Sequence, residues 1–508
     1  MAGLESIDHV VYVMLENRSF DHLLGFLYPK SETFEGLDGT EFNLDAQGNK
    51  TAVFKVTPGM QNACYYPLAN PSEGFKATDE QLFGSAEPAA DARATNSGFV
   101  TSFAQELKEP KHPLDPKLVG ASPASIMGMY APETLPVLSA LARGYAVSDR
   151  WFASVPTQTF PNRAFAVAGT SLGYTDNSAH GHPAFDTPSV FGRLADAGYT
   201  WKIYGYSGIP LTAGDFPDTV QPGPKGEVVS GFARFKDDAA NGELAAFSYI
   251  EPEWATYPKK KATPEQAHKE AEKNFHVQND QHPVSNMAAG EKLLYDIHEA
   301  LRTSPAWNQT LLIITYDEHG GTYDHVAPPT DATPPDANVG ISGVDFDFKR
   351  FGVRVPAVIV SPLIPAGTIL RAPEDEPPSE DRPPFDHTSL IATLRTRFGI
   401  GALGKRDAKA PHVGPALSLD VARTDNPLAG VEPLAVEDAV LQGGSNPIGA
   451  EPSSFLEAKA IAAAALPIPG AGIADPKEKV EALGTAAEQY EFAQRRLAAW
   501  HAAGRPLK

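Results

Sequence analysis

The sequence is poor in cysteine and in positive charge, and it lacks long apolar runs. A single cysteine, Cys64, stands among 508 residues. It excludes an internal disulfide and any zinc site built from thiolates. Lys and Arg number 42 against 63 Asp and Glu, a formal net charge of −21. Such a chain is ill suited to nucleic acid, whose binding is dominated by Lys and Arg against phosphates, and to an anionic membrane surface. No run of about 18 apolar residues occurs, so no membrane-spanning helix is expected. The opening Met1-Ala2-Gly3-Leu4-Glu5-Ser6 shows no basic stretch followed by an apolar one. The expectation is a cytoplasmic protein, or a secreted or periplasmic one whose signal has been removed.

Hydrophobic residues at 42% and charged residues at 21% give a globular composition. The length suits two or three average domains, or one large α/β domain with insertions. Gly 43 and Pro 46 are spread between apolar runs, which predicts long ordered loops on a compact scaffold. Residues 10–15 and 311–316 are continuous apolar runs, and 199–206 and 355–360 are weaker ones. Such runs are expected of strands covered on both faces. Helical spacing falls at 134–143, 285–301 and 388–397. The alternation predicts α/β with a largely parallel sheet. Residues 1–403 are read as the catalytic domain and 404–508 as a C-terminal part packed on it. Within that part, the Pro/Gly/Ala-rich 404–469 is read as a surface wrap. Asp475-Pro476-Lys477-Glu478 then starts a helix with Val480, Leu483, Ala487, Tyr490 and Leu497 at helical spacing. It either docks on the main domain or serves an interaction.

Polar clusters follow the apolar runs, where a parallel sheet presents its ligands. The first run ends into Glu16-Asn17-Arg18-Ser19-Phe20-Asp21-His22. The 311–316 run ends into Asp317-Glu318-His319-Gly320-Gly321, then Tyr323-Asp324-His325. The 355–360 run leads through a long loop to Asp386-His387-Thr388-Ser389. Thr157-Gln158-Thr159-Phe160-Pro161-Asn162-Arg163 follows Trp151-Phe152. One such cluster could be no more than caps and turns. Several together suggest a site. Adjacent carboxylates such as Asp317-Glu318 are costly to bury without a cation. With Glu16 and Asn17 they form an oxygen-rich, sulfur-free set suited to one divalent ion: Mg, Mn, Ca or Zn.

These boxes, together with Gly352-Val353-Arg354-Val355-Pro356 and Asn279-Asp280-Gln281-His282-Pro283, resemble the phosphoesterase family of bacterial phospholipases C, plant non-specific phospholipases C and bacterial acid phosphatases. The resemblance spans roughly residues 7–400. It implies an alkaline-phosphatase-like three-layer sandwich and a metal held by Glu16, Asn17, Thr159, Asp317 and Glu318. It also implies that Thr159 attacks phosphorus to form a phosphothreonine. A metal-held hydroxyl ionises more readily, and the charge of the phosphate is offset. His282 stands where the family has an active-site histidine, a proton donor or phosphate contact. Arg163 is either a phosphate contact or a structural ion pair. His325 and His387 are candidate substrate contacts, and with His319 and Asp324 they could also orient the ligands or form a further metal site. One departure is visible. Many relatives carry a histidine where Asn70-Pro71-Ser72-Glu73 places Glu73, so a carboxyl group enters the leaving-group region here.

The expected activity is metal-dependent hydrolysis of a small phosphorylated substrate, as an acid phosphatase or phosphodiesterase on soluble esters. The alternative within the class is a phospholipase C. From another class, Gly169-Thr170-Ser171-Leu172-Gly173 matches a serine-esterase elbow with Asp317 and His325 as partners. A helix is required directly after the serine, and the following Tyr174-Thr175-Asp176-Asn177-Ser178 reads as a turn. His180-Gly181-His182 is a loop or a metal pair, and Lys259-Lys260-Lys261 a solvated run.

Overall fold

The computed structural model describes residues 3–89, 91–109, 120–178, 183–206, 208–254, 278–373, 377–435, 454–466, 468, 472–483 and 486–502. His180, His182 and the 259–261 lysines lie outside them. A single eight-stranded sheet organises the chain. Its strands are β1 (His9–Leu15), β2 (Ala146–Ser148), β3 (Trp201–Gly205), β4 (Gly226–Ser230), β5 (Phe247–Glu251), β6 (Thr310–Tyr316), β7 (Ala357–Val360) and β8 (Thr368–Ile369). Their spatial order is β8-β2-β7-β6-β1-β5-β3-β4. β1 and β6 are the central pair, and every residue of either strand except His9 is buried. Continuous apolar runs form strands there because helices cover both faces.

The 355–360 run departs from expectation. β7 runs antiparallel to both neighbours, the one reversed strand in the sheet. Its amino end, not its carboxyl end, therefore lies beside the carboxyl ends of β1 and β6. Arg354, just before it, enters that edge.

Helices α1 (Phe20–Leu24), α2 (Phe75–Phe83), α3 (Pro136–Gly144), α4 (Thr159–Ala168), α5 (Met287–Arg302) and α6 (Thr388–Phe398) surround the sheet. α3 packs on α5, and α4 on α6. The α3–α5 pair is tied by the buried Glu291. Its carboxylate accepts Val137 N at 2.6 Å and Leu138 N at 3.0 Å, the free amides of a helix start. No helix among the described residues is long and apolar enough to cross a membrane.

The C-terminal part holds more helix than expected: α7 (Ser454–Ala465), α8 (Pro476–Glu481) and α9 (Ala486–Ala502). Asp475 caps α8 by accepting Glu478 N at 2.9 Å. α7 falls inside the stretch read as a wrap. Composition grouped its alanines with Pro and Gly, yet alanine is the strongest helix former. Ala460, Ile461, Ala464, Val480 and Phe492 form a small core among these helices. Ala462 and Ala463 pack on Ile209, which fixes α7 to the main body.

Candidate active site

Strand register brings the two acidic boxes together. Leu15 pairs with Tyr316, so Glu16 and Asp317 leave the sheet side by side. Asn17 then takes a left-handed φ of 57°, which asparagine tolerates better than most residues. Its amide N–H donates to Asp317 Oδ1 at 3.1 Å. Gly320 is required opposite, since a Cβ there would lie 2.1 Å from the Asn17 carbonyl oxygen.

Thr159 is the first residue of α4 and is fully buried. Its hydroxyl points to Asn17 Oδ1 at 3.4 Å. The Pro-Asn-Arg part of the box is explained by its bonds. Asn162 Nδ2 donates to the carbonyls of Val155, Thr157 and Gln158, and its Oδ1 accepts Val155 N. This pins the loop that presents Thr159. Arg163 reaches across to the end of β1. It contacts Glu16 Oε1 and Asp317 Oδ2, both at 3.3 Å, and donates to the carbonyls of Met14 and Leu15. It also lies over Trp254 and bonds Tyr249. Of its two readings, the ion pair is the one the geometry displays.

Burial, then the charge of Asp317, hold the Glu16 carboxyl well above its usual range, against the pull of Arg163. Glu318 is raised by burial, then by Glu73 and Asp317. Its Oε2 accepts Gly320 N at 2.7 Å, while Oε1 is buried with no hydrogen-bond partner among the described residues. A buried orphan oxygen among repelling carboxylates matches a divalent-cation site. Glu16, Asn17, Thr159, Asp317 and Glu318 are the residues that would hold such an ion, and the orphan Glu318 oxygen is the observation that fits them to that role.

Glu73 does stand in this site. It accepts Asn17 Nδ2 at 2.8 Å and lies 3.4 Å from His282 Nε2. Both side chains are part-exposed, at 16% and 17%, beside the buried Thr159. Burial lowers His282, but Glu73 and Asp280 outweigh it and hold the imidazolium above its ordinary range. Asp280 also accepts His282 N at 3.0 Å, and burial pushes its carboxyl to about 6. Protonated His282 is lost as pH rises through its raised pKa. Replacing Glu73 by Gln removes the carboxylate, so the alkaline limb of the rate profile is expected to move to lower pH. An unmoved limb for an aryl phosphate would separate Glu73 from this proton.

His387, His319 and His325 are engaged within the protein. His387 accepts Trp151 Nε1–H at Nδ1 and donates from Nε2 to the Asp317 carbonyl at 2.6 Å. Burial pushes it down to about 3. It props the Asp317 backbone, and neither ring nitrogen is left over for the substrate contact expected of it. His319 bonds Gln81 Oε1 at 2.7 Å and is likewise held near 3 by burial. His325 lies in a separate cluster. Its Nδ1–H donates to Asp21 Oδ2 at 2.6 Å, and Arg354 donates to Asp21 and Asp324 at 2.8 and 2.9 Å. Asp21, Asp324 and His325 each offer a ligand atom within 4.8 Å of the others, the spacing of a candidate cation site among the described residues. The Arg354 guanidinium already occupies one oxygen of each aspartate.

The serine-esterase reading fails on geometry. Ser171 Oγ donates to the Tyr174 carbonyl at 2.8 Å, and Leu172 and Gly173 turn the chain at positive φ instead of starting a helix. Its supposed partners are engaged elsewhere, Asp317 with Arg163 and His325 with Asp21. Sequence reasoning missed Gln81, Tyr249 and Trp254 as supports of the site. It singled out the box containing Arg354 without its role. A lone arginine inside an apolar run was the available signal.

The model of the Phosphoesterase family matches residues 7–401. Non-specific phospholipase C1 of Arabidopsis thaliana is 34% identical over 80% of this chain and 69% of its own. Non-specific phospholipase C4 of the same plant is 32% identical over 92% and 81%. Phospholipase C A of Mycobacterium tuberculosis is 28% identical over 78% and 74%. Among solved structures, an alkaline phosphatase superfamily protein from Vibrio parahaemolyticus matches at 15% identity and a TM-score of 0.28, over 60% of this chain and 65% of that one. The α/β assignment rests on the sheet itself.

Proposed function

The chain belongs to the phosphoesterase family and is a hydrolase acting on phosphoester bonds, and from that premise we propose that Thr159 is its nucleophile. The observation that carries this reading is the buried Thr159 hydroxyl at the start of α4, 3.4 Å from Asn17 and beside the acidic pair. Thr159 Oγ attacks phosphorus as its proton passes to water. The bond from phosphorus to the leaving alcohol breaks, and His282 protonates that alcohol. Water then attacks the phosphothreonine, its oxygen bonding phosphorus and its proton returning to His282, while the released Thr159 oxygen takes a proton back from water. The start of α4 adds partial positive charge near the phosphate. A divalent cation held by Glu16, Asn17, Thr159, Asp317 and Glu318 would supply charge against the phosphate and ease ionisation of the hydroxyl.

Asp317→Asn and Glu318→Gln are expected to lose most bound divalent metal while keeping the fold. Metal analysis with circular dichroism on the purified variants decides this, and full occupancy in both would contradict the ligand set.

For the ester, a phospholipid head-group bond is the first reading, because the plant and mycobacterial relatives are named phospholipases C. Soluble phosphate esters are the second, favoured by a net charge of −21 that disfavours anionic membranes. Comparing kcat/KM on phosphatidylcholine vesicles and on p-nitrophenyl phosphate separates them. Turnover confined to the aryl phosphate would reject the first.

A further inference from the structure

The geometry points to Arg18 and Gln281 as positioning residues for His282: together they lock the peptide that carries the proton donor. This rests on the reading of His282 as the acid that protonates the leaving alcohol, and deepens it. Arg18 belongs to the first acidic box but has no part in the chemistry derived above. It is fully buried. Its Nε donates to the Gln281 carbonyl at 2.7 Å and its Nη1 to the Tyr66 carbonyl at 2.6 Å, with the His22 ring 3.4 Å away. These partners are two carbonyls and an imidazole, not a carboxylate. A guanidinium is costly to bury on such terms, and here it holds the residue before His282.

The peptide between Gln281 and His282 is held at both ends. Its oxygen accepts Arg18 Nε–H, and its N–H donates to Asp280 Oδ1 at 3.0 Å. Glu16 N donates to the Asp280 carbonyl at 2.7 Å. Glu16 and Arg18 therefore fasten the first acidic box to Asp280 and Gln281. Gln281 completes the lock. Its φ of 69° is left-handed, a conformation that a long side chain seldom adopts. Such backbone persists where its surroundings impose it, and it gathers at functional sites. The surroundings are specific here. Gln281 is fully buried, its Oε1 accepts the Tyr316 hydroxyl, and its Nε2 donates to the Met287 carbonyl at 3.4 Å. α5 closes over it at Gly290, where a Cβ would lie 2.2 Å from Gln281 Cγ. His282 itself donates from Nδ1 to the Pro283 carbonyl at 2.5 Å. That leaves Nε2 facing Glu73 at 3.4 Å, and Glu73 bonds Asn17, to which the Thr159 hydroxyl points. Fixing the 281–282 peptide thus fixes Nε2 relative to the nucleophile.

The test uses the full chain with Arg18→Met, Arg18→Lys and Gln281→Gly, and His282→Ala in parallel. kcat/KM is measured on phenyl phosphate, whose poor leaving group needs a proton, and on p-nitrophenyl phosphate, whose leaving group departs with less help. Arg18→Met and Gln281→Gly are expected to lose about ten-fold or more on phenyl phosphate beyond any loss on p-nitrophenyl phosphate, the scale of a misplaced catalytic group. His282→Ala should show the same selectivity more strongly. Arg18→Lys keeps a charged donor and should recover part of the rate. Melting curves identify an unfolded variant. Glycine adopts the left-handed backbone without strain, so Gln281→Gly decides the matter if Arg18→Met does not fold. An equal loss on both esters, the mark of a merely structural role, or no loss, would overturn the inference. If His282→Ala is selective while the folded Arg18 and Gln281 variants are not, this inference alone fails. If His282→Ala is not selective, the proton-donor reading fails and the inference falls with it.

Discussion

Replacing Thr159 by Ala is expected to lower turnover by roughly 10⁴-fold or more, the scale seen when a covalent nucleophile is removed. The substitution deletes the attacking oxygen and one oxygen of the proposed metal set. It should leave the fold intact, because the loop before α4 is held by Asn162 and the helix by Arg163, not by the threonine. Thr159→Ser keeps the hydroxyl and should retain a measurable part of the rate, with the loss falling on positioning. Ser171→Ala should change activity little, since the Ser171 hydroxyl only closes a turn on Tyr174. Assays on p-nitrophenyl phosphate report all three. A Thr159→Ala enzyme within about ten-fold of the parent would remove Thr159 from the chemistry.

The largest expected stability loss belongs to Arg354. It is fully buried, and its guanidinium donates to Asp21, Asp324, and the carbonyls of Glu35 and Asp149. It also lies over the Phe20 ring at 4.6 Å. Arg354→Met leaves the buried Asp324 without its cation and Asp21 with His325 alone, which costs about 3–5 kcal/mol. The damage should reach the active site. Asp21 N donates to Asp324 Oδ2 and Ser19 Oγ to the Tyr323 carbonyl, so this cluster clamps the first acidic box to the second. Adding Asp21→Asn and Asp324→Asn to Arg354→Met should restore part of the loss, because no buried charge is then unpaired. Urea unfolding measures it. A single-variant loss under about 1 kcal/mol would mean that the clamp is solvated.

The central strands and the candidate ligands were legible because each is written locally. A continuous β-branched run followed by Glu16-Asn17 or Asp317-Glu318 says both strand and site. What escaped was decided by neighbours distant in sequence. The reversal of β7 depends on the connection between β6 and β7, and periodicity within the run is the same for either direction. The ion-pair role of Arg163 depends on Glu16, brought near only by the register of β1 and β6. His387 looked available as a substrate contact because its partners, Trp151 and the Asp317 carbonyl, are 236 and 70 residues away. α7 was hidden by composition, since alanine was counted with Pro and Gly although its physics is opposite.

The most direct test of the account is the stereochemical course at phosphorus. A phosphorothioate diester of known configuration is hydrolysed in isotopically labelled water, and the configuration of the product is determined. Attack by Thr159 followed by attack of water is two in-line displacements, each inverting phosphorus. The account predicts net retention. Net inversion would mean a single direct attack by water, and would contradict a phosphothreonine on Thr159.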